Sequence, residues 1–118
     1  MNISEAARGS GLSAKTIRYY EQIELIAPAH RSGNGYRRYD DKSLAELRFV
    51  HRAREVGFSV EECRQLLQIH RNPRRQSAHV KALVLEKCEH IEARIEQLRS
   101  MNDTLQTLAS QCSGDEGP

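Results

Sequence analysis

Ser4-Glu-Ala-Ala-Arg-Gly-Ser-Gly-Leu-Ser-Ala-Lys-Thr-Ile-Arg-Tyr-Tyr-Glu-Gln22 is the stretch that decides the fold. Ser4 to Gly9 is short and Ala-rich. Gly9-Ser-Gly-Leu-Ser13 then breaks the pattern, and Ser13 stands where its hydroxyl can cap a new helix running to about Gln22. Two short helices joined by a glycine-containing turn predict a helix-turn-helix, with Ile3, Ala6, Leu12, Ile17 and Tyr20 as its small core. On the second helix Lys15, Arg18, Tyr19 and Gln22 fall three and four residues apart, which puts them on one face opposite Ile17.

Downstream, Leu25 to His30 and Tyr36 to Tyr39 flank Arg31-Ser-Gly-Asn-Gly35, where Asn34-Gly35 suits the positive φ angles of a tight hairpin. That hairpin is expected to be a wing, with Tyr39 turned into the core by strand alternation. Ser43-x-x-Glu46 reads as a capping box opening a helix that carries Leu44, Leu47, Val50 and Ala53 and ends at Gly57. Ser59-x-x-Glu62 repeats the signature for a shorter helix with Val60, Cys63, Leu66 and Leu67 inward, closed by Asn72-Pro73.

From Ser77 to Gln111 no Gly or Pro interrupts the chain, and Val84, Ile91, Leu98, Leu105 and Cys112 recur every seven residues. A second row, Cys88, Ile95, Asn102 and Ala109, follows four residues behind. Two interleaved seven-residue rows predict a coiled-coil seam, and its partner is expected to be a second copy of the chain. Asn102, polar within the seam, would help fix register or orientation.

Charge divides along the same line. Residues 1–76 carry 14 Lys and Arg against 9 Asp and Glu, whereas residues 77–118 carry 4 against 7, so a basic head precedes an acidic tail. With 38% hydrophobic residues and no Trp, the head has a thin core and self-association is the natural supplement. Met1 to Gly11 lacks a basic start followed by an apolar run, and nowhere do about 18 apolar residues follow one another; a cytoplasmic protein without membrane attachment is expected.

The basic groups indicate the chemistry. A helix entering the major groove needs donors for guanine edges and phosphates on its outer face. Arg18 is the candidate for a base edge, and Lys15 and Tyr19 for phosphates. A basic surface helix can carry such residues for solubility alone, but the wing adds Arg31, Asn34, Tyr36, Arg37 and Arg38 around one turn. Arg52 and Arg54 then lie just before the Ser59 helix, whose free amides could receive another phosphate. Three basic features in order favour DNA. Cys63 and Cys88 read as packed thiols, while Cys112 ends the seam beside a polar loop where a thiolate can reach solvent or metal. The five histidines form no metal-ligand spacing with a cysteine, and no Ser/His/Asp array, paired-carboxylate cleft or phosphate-cradling Gly loop appears. An enzyme is not expected.

Ile3-Ser-Glu-Ala-Ala7, Gly11-Leu-Ser13, Thr16-Ile-Arg-Tyr-Tyr-Glu21, Gly35-Tyr-Arg37 and Arg54-x-x-Gly-Phe-Ser59 together resemble the MerR family of transcription regulators. Ser77-Ala-x-Val80, Leu85-Glu-Lys87 and Cys112-x-Gly-Asp115 resemble its copper-efflux branch. The resemblance implies a mainly α fold: a winged helix-turn-helix head at 1–76, a dimerisation helix at 77–111 forming an antiparallel coiled coil, and at 112–118 the opening of a metal-binding loop, cut short. It implies a homodimer across an overlong promoter spacer that, with metal bound, distorts the DNA so that RNA polymerase can engage, an indirect effect on DNA shape. Lys15, Arg18 and Tyr19 match the reading helix, Arg31, Tyr36 and Arg37 the first wing, and Arg54 the second DNA-contacting element. In that branch two cysteines hold one Cu(I), Ag(I) or Au(I) ion in linear coordination, soft thiolates suiting soft cations. Cys112 matches the first of them. Ser77 matches the place, supplied by the partner subunit, where related divalent-metal sensors carry a cysteine, and a serine there favours a monovalent ion. The second cysteine is expected just past Pro118, so the 118-residue chain is expected to bind promoter DNA while holding copper weakly. The rivals are a regulator of the same type that senses an oxidant, another metal or an organic ligand, and an interaction module whose coiled coil recruits another protein.

Overall fold

The computed structural model describes residues 1–31, 37–72, 78–112 and 114, with only the backbone of His30, Arg31 and Arg37. The chain divides into two compact units, residues 1–75 and 76–118.

The first unit opens with α1 (Ile3–Ser10), started by a capping box in which the Asn2 side chain accepts from the Glu5 amide and the Glu5 carboxylate accepts from the Asn2 amide. Gly11 ends it in the left-handed conformation at φ 81°, where a side chain would also meet the His51 ring at 3.1 Å. α2 (Ala14–Gln22) is capped by Ser13, whose hydroxyl accepts from the Thr16 amide at 3.0 Å. This is the predicted helix-turn-helix, with the predicted cap.

After α2 come β1 (His30–Arg31) and β2 (Arg37–Arg38), antiparallel, with His30 opposite Arg38 and Arg31 opposite Arg37. The strands are shorter than the alternation suggested. Leu25 and Ile26, expected in the first strand, instead fill the core as part of the turn leaving α2. The Asn34-Gly35 turn lies outside the described residues.

α3 (Asp41–Glu55) starts one turn earlier than predicted. Its cap is Asp40, which accepts from both the amide and the hydroxyl of Ser43 at 2.8 Å. The Ser43-x-x-Glu46 box is therefore a misreading. Ser43 is a recipient of the cap, and Glu46 turns inward to pair with Arg71. α3 ends at Glu55, two residues ahead of Gly57 at φ 96°. α4 (Val60–Arg71) has the predicted Ser59–Glu62 capping box.

α1 packs on α2 and α3, and α3 on α4. Ala6, Ile17, Tyr20, Leu47, Val50, Cys63 and Leu67 bury their side chains at these contacts, and Tyr39 is only 2% exposed. The second unit holds α5 (Ala78–Gln111), whose 34 residues span about 51 Å at 1.5 Å per residue. Ile91, Ile95, Leu98 and Leu105 lie open along it. Among the described residues no helix is long and apolar enough to cross a membrane.

Candidate nucleic-acid interface

Amphipathic spacing along α2 turns Ile17, Tyr20 and Glu21 inward and leaves Lys15, Arg18, Tyr19 and Gln22 exposed. Four hydrogen-bonding side chains thus stand together on one outer face, the arrangement a groove-reading helix requires. The Tyr19 ring, 50% exposed, leans on that of Tyr20 with centroids 6.0 Å apart, so a core residue steadies a surface one.

The exit of this helix is held from a distance. Arg64 donates to the carbonyls of Ile23 and Glu24, both at 3.1 Å, and Arg71 donates to that of Leu25 at 3.2 Å. These carbonyls belong to the sharp turn after α2, where Glu24 adopts φ 61°, a conformation disfavoured by its Cβ. Two guanidinium groups from α4 thereby satisfy backbone acceptors that no helix serves. The Arg71 guanidinium also grips Glu46 through two bonds of 2.8 and 3.0 Å. That bond holds the Glu46 carboxyl below its usual range, against the opposing effect of burial.

The hairpin is anchored on its β2 side. Tyr39 donates its hydroxyl to the buried Glu21 carboxylate. Its amide donates to the Met1 carbonyl at 2.7 Å, and its carbonyl accepts from the Met1 nitrogen at 2.8 Å. One residue thus ties the hairpin to α2 and to the segment before α1.

Arg54, in the last turn of α3, is exposed and donates to the Phe58 carbonyl at 2.8 Å, which shapes the α3–α4 turn. The start of α4, where free amides were expected to receive a phosphate, is partly capped and acidic. The Glu62 amide is taken by Ser59, and Glu61 and Glu62 make that end acidic. Of the sites expected from sequence, Lys15, Arg18 and Tyr19 share one face and Arg54 stands apart at the second turn. Arg31 and Arg37 are register partners in the hairpin, their side chains outside the described residues, as are Asn34, Tyr36 and Ser77.

Burial pushes the Cys63 thiol up and removes it from chemistry. Cys88 and Cys112 are exposed. Cys112 follows α5 directly, its amide bonded to the Ala109 carbonyl at 3.2 Å. A cation there would be favoured by the helix's terminal carbonyls, so one soft thiolate fits one half of a linear monovalent site. Among the described residues no second thiol joins it, and no three His, Cys, Asp or Glu side chains group as a metal cluster.

Comparison with known proteins agrees with this geometry. Residues 1–69 match the family of MerR HTH regulatory proteins and residues 44–108 the MerR DNA-binding family. The HTH-type transcriptional regulator CueR of Salmonella typhimurium is 49% identical over 116 residues, 98% of this chain and 84% of that protein. The heavy metal-dependent transcription regulator 2 of Rhizobium meliloti is 49% identical over 118 residues, 100% of this chain and 80% of that protein. A MerR family transcriptional regulator from Listeria monocytogenes superimposes with a TM-score of 0.75 at 32% identity, covering 92% of this chain and 83% of that one. Regulators of this kind bind promoter DNA as dimers and are not enzymes. With a capped helix-turn-helix, a basic outer face on its second helix and both family matches lying across it, the chain belongs to the MerR family of HTH transcription regulators.

Proposed function

We propose that this chain is a metal-responsive transcription regulator that binds promoter DNA as a homodimer and takes a soft monovalent ion, Cu(I), Ag(I) or Au(I), as its signal. The observation that carries the reading is the near-complete alignment, at 49% identity, with CueR and with a heavy metal-dependent regulator. The exposed thiol of Cys112 at the end of α5 is the donor such an ion prefers. Residues 1–76 act as the DNA-binding head, 77–111 as the dimerisation helix and 112–118 as the opening of the metal loop.

Arg18 reads a base edge, and Lys15 and Tyr19 set the helix on the backbone. Arg31, Asn34, Tyr36 and Arg37 extend the contact along the hairpin, and Arg54 adds one from the α3–α4 turn. Ser77 of the partner subunit stands by the metal. A bound ion would supply a fixed positive charge at the Cys112 thiolate. The residues of the head grip and orient the duplex, whose bending or untwisting is a deformation of a few kcal/mol that helps RNA polymerase engage the promoter.

The test is a footprint on a duplex enriched from a random pool by the protein, with and without Cu(I) held at fixed activity by a competing chelator. Metal-dependent hypersensitivity between the half-sites is expected once Cu(I) activity is raised high enough to load a weakly held site. A pattern blind to Cu(I) and Ag(I) but altered by an oxidant, a divalent metal or an organic ligand would overturn the monovalent-metal assignment and leave the family intact.

A further inference from the structure

The buried pair Glu21–Tyr39 has a place in the DNA-binding reading, on which the following rests. Glu21 lies on the inner face of α2 beside Ile17 and Tyr20, three residues after Arg18, and is only 8% exposed. A carboxylate is an expensive choice there, because burial costs free energy that a hydrophobic side chain would not incur. One of its oxygens accepts a hydrogen bond from the Tyr39 hydroxyl. Tyr39 directly follows β2 and is itself fixed at three points: its ring in the core, its hydroxyl on Glu21, its backbone paired with Met1. Only Tyr39 and Asp40 separate β2 from α3, and Asp40 is itself held as the cap of α3, so the connection has no slack to take up. The hydrogen bond therefore joins the helix that reads bases to the strand that carries the hairpin's cations.

We infer that Glu21 and Tyr39 are positioning residues for DNA recognition: their hydrogen bond sets the hairpin at the distance from α2 at which both engage one duplex. Without it the reading helix still docks, while the hairpin's phosphate contacts are lost. Charge–phosphate contacts leave a signature that general destabilisation does not, namely the slope of affinity against salt concentration.

The experiment uses the full chain and the duplex enriched by it, with affinities taken by fluorescence anisotropy over a series of KCl concentrations. Tyr39→Phe keeps ring and charge and deletes only the hydroxyl. Its circular dichroism spectrum should match the wild type, its affinity at low salt should fall about tenfold, and its salt slope should drop by about 1–2, with base preference kept. Glu21→Ala and Glu21→Gln remove the same negative charge, so simple repulsion from DNA predicts that both bind tighter. Positioning predicts that both bind weaker, with Gln, which can still accept a neutral hydrogen bond, nearer the wild type. If Tyr39→Phe does not fold, the Ala–Gln difference decides. Wild-type affinity and slope in Tyr39→Phe, an unchanged slope beside weaker binding, or equal behaviour of the two Glu21 variants overturns the proposal. Failure of the wild type to enrich any duplex, or full affinity and preference in Arg18→Ala, overturns the reading of the interface and the proposal with it.

Discussion

Arg18 stands exposed on α2 above a face anchored by Ile17 and Tyr20, so its removal should disturb recognition without disturbing the fold. Arg18→Ala is expected to cost about 1–3 kcal/mol of specific binding and to relax preference at one base pair, as a binding-site selection compared with that of the wild type would show. Glu46 is a residue of the opposite kind. Its side chain is 7% exposed and that of Arg71 is 35% exposed, with 2.8 Å between them. Because the folded protein holds the Glu46 carboxyl below its ordinary 4.5, the pair contributes stability above that ordinary value and loses it as pH falls through the lower, folded-state value. Urea unfolding followed from about pH 6 to 3 should show this loss, and Glu46→Gln should flatten that part of the profile. At neutral pH the same variant is expected to be less stable by about 1 kcal/mol, discounted from a fully buried charged bond because Arg71 is partly in water.

At the scale of elements, the caps separate what the residues announce from what they conceal. Asp40→Ala should destabilise the protein by about 1 kcal/mol, whereas Ser43→Ala, which leaves in place the hydrogen bond that the amide of residue 43 donates to the Asp40 carboxylate, should cost less than half as much; denaturant midpoints of the two variants decide it. Ser13 and Ser59 were readable as caps because each precedes an apolar period that could start nowhere else. Asp40 was not, since Asp40, Asp41 and Ser43 all offer cap chemistry within one turn, and choosing among them needs the backbone of the hairpin exit. The outer face of α2 was equally plain, because three-and-four spacing fixes which side chains share a side. Contacts across 40 or more residues, such as Arg64 to Glu24 and Arg71 to Leu25, leave no local period and could not be read from the chain. Glu21 did carry a signal that went unused: an acid at an inward register beside Ile17 must find a partner.

At the scale of the molecule, α5 leaves Ile91, Ile95, Leu98 and Leu105 open to water along a seven-residue repeat, which a second copy can close. Leu98→Asp should therefore yield a monomer by sedimentation, with reduced helicity in circular dichroism and loss of operator binding, because two half-sites need two heads. A mutant that remains a dimer would place the contact elsewhere. The three cysteines, one sealed in the head and two open on or just beyond α5, turn this assembly into something that can be counted. A colourless disulfide reagent that releases a dye when it meets a thiol should report three equivalents per chain when the protein is unfolded and two when the chain is folded alone. It should report one when the seam is closed over Cys88, and a soft ion bound at Cys112 should silence that last thiol. Folding, pairing and metal occupancy then become successive steps on a single colorimetric scale, read without any introduced label.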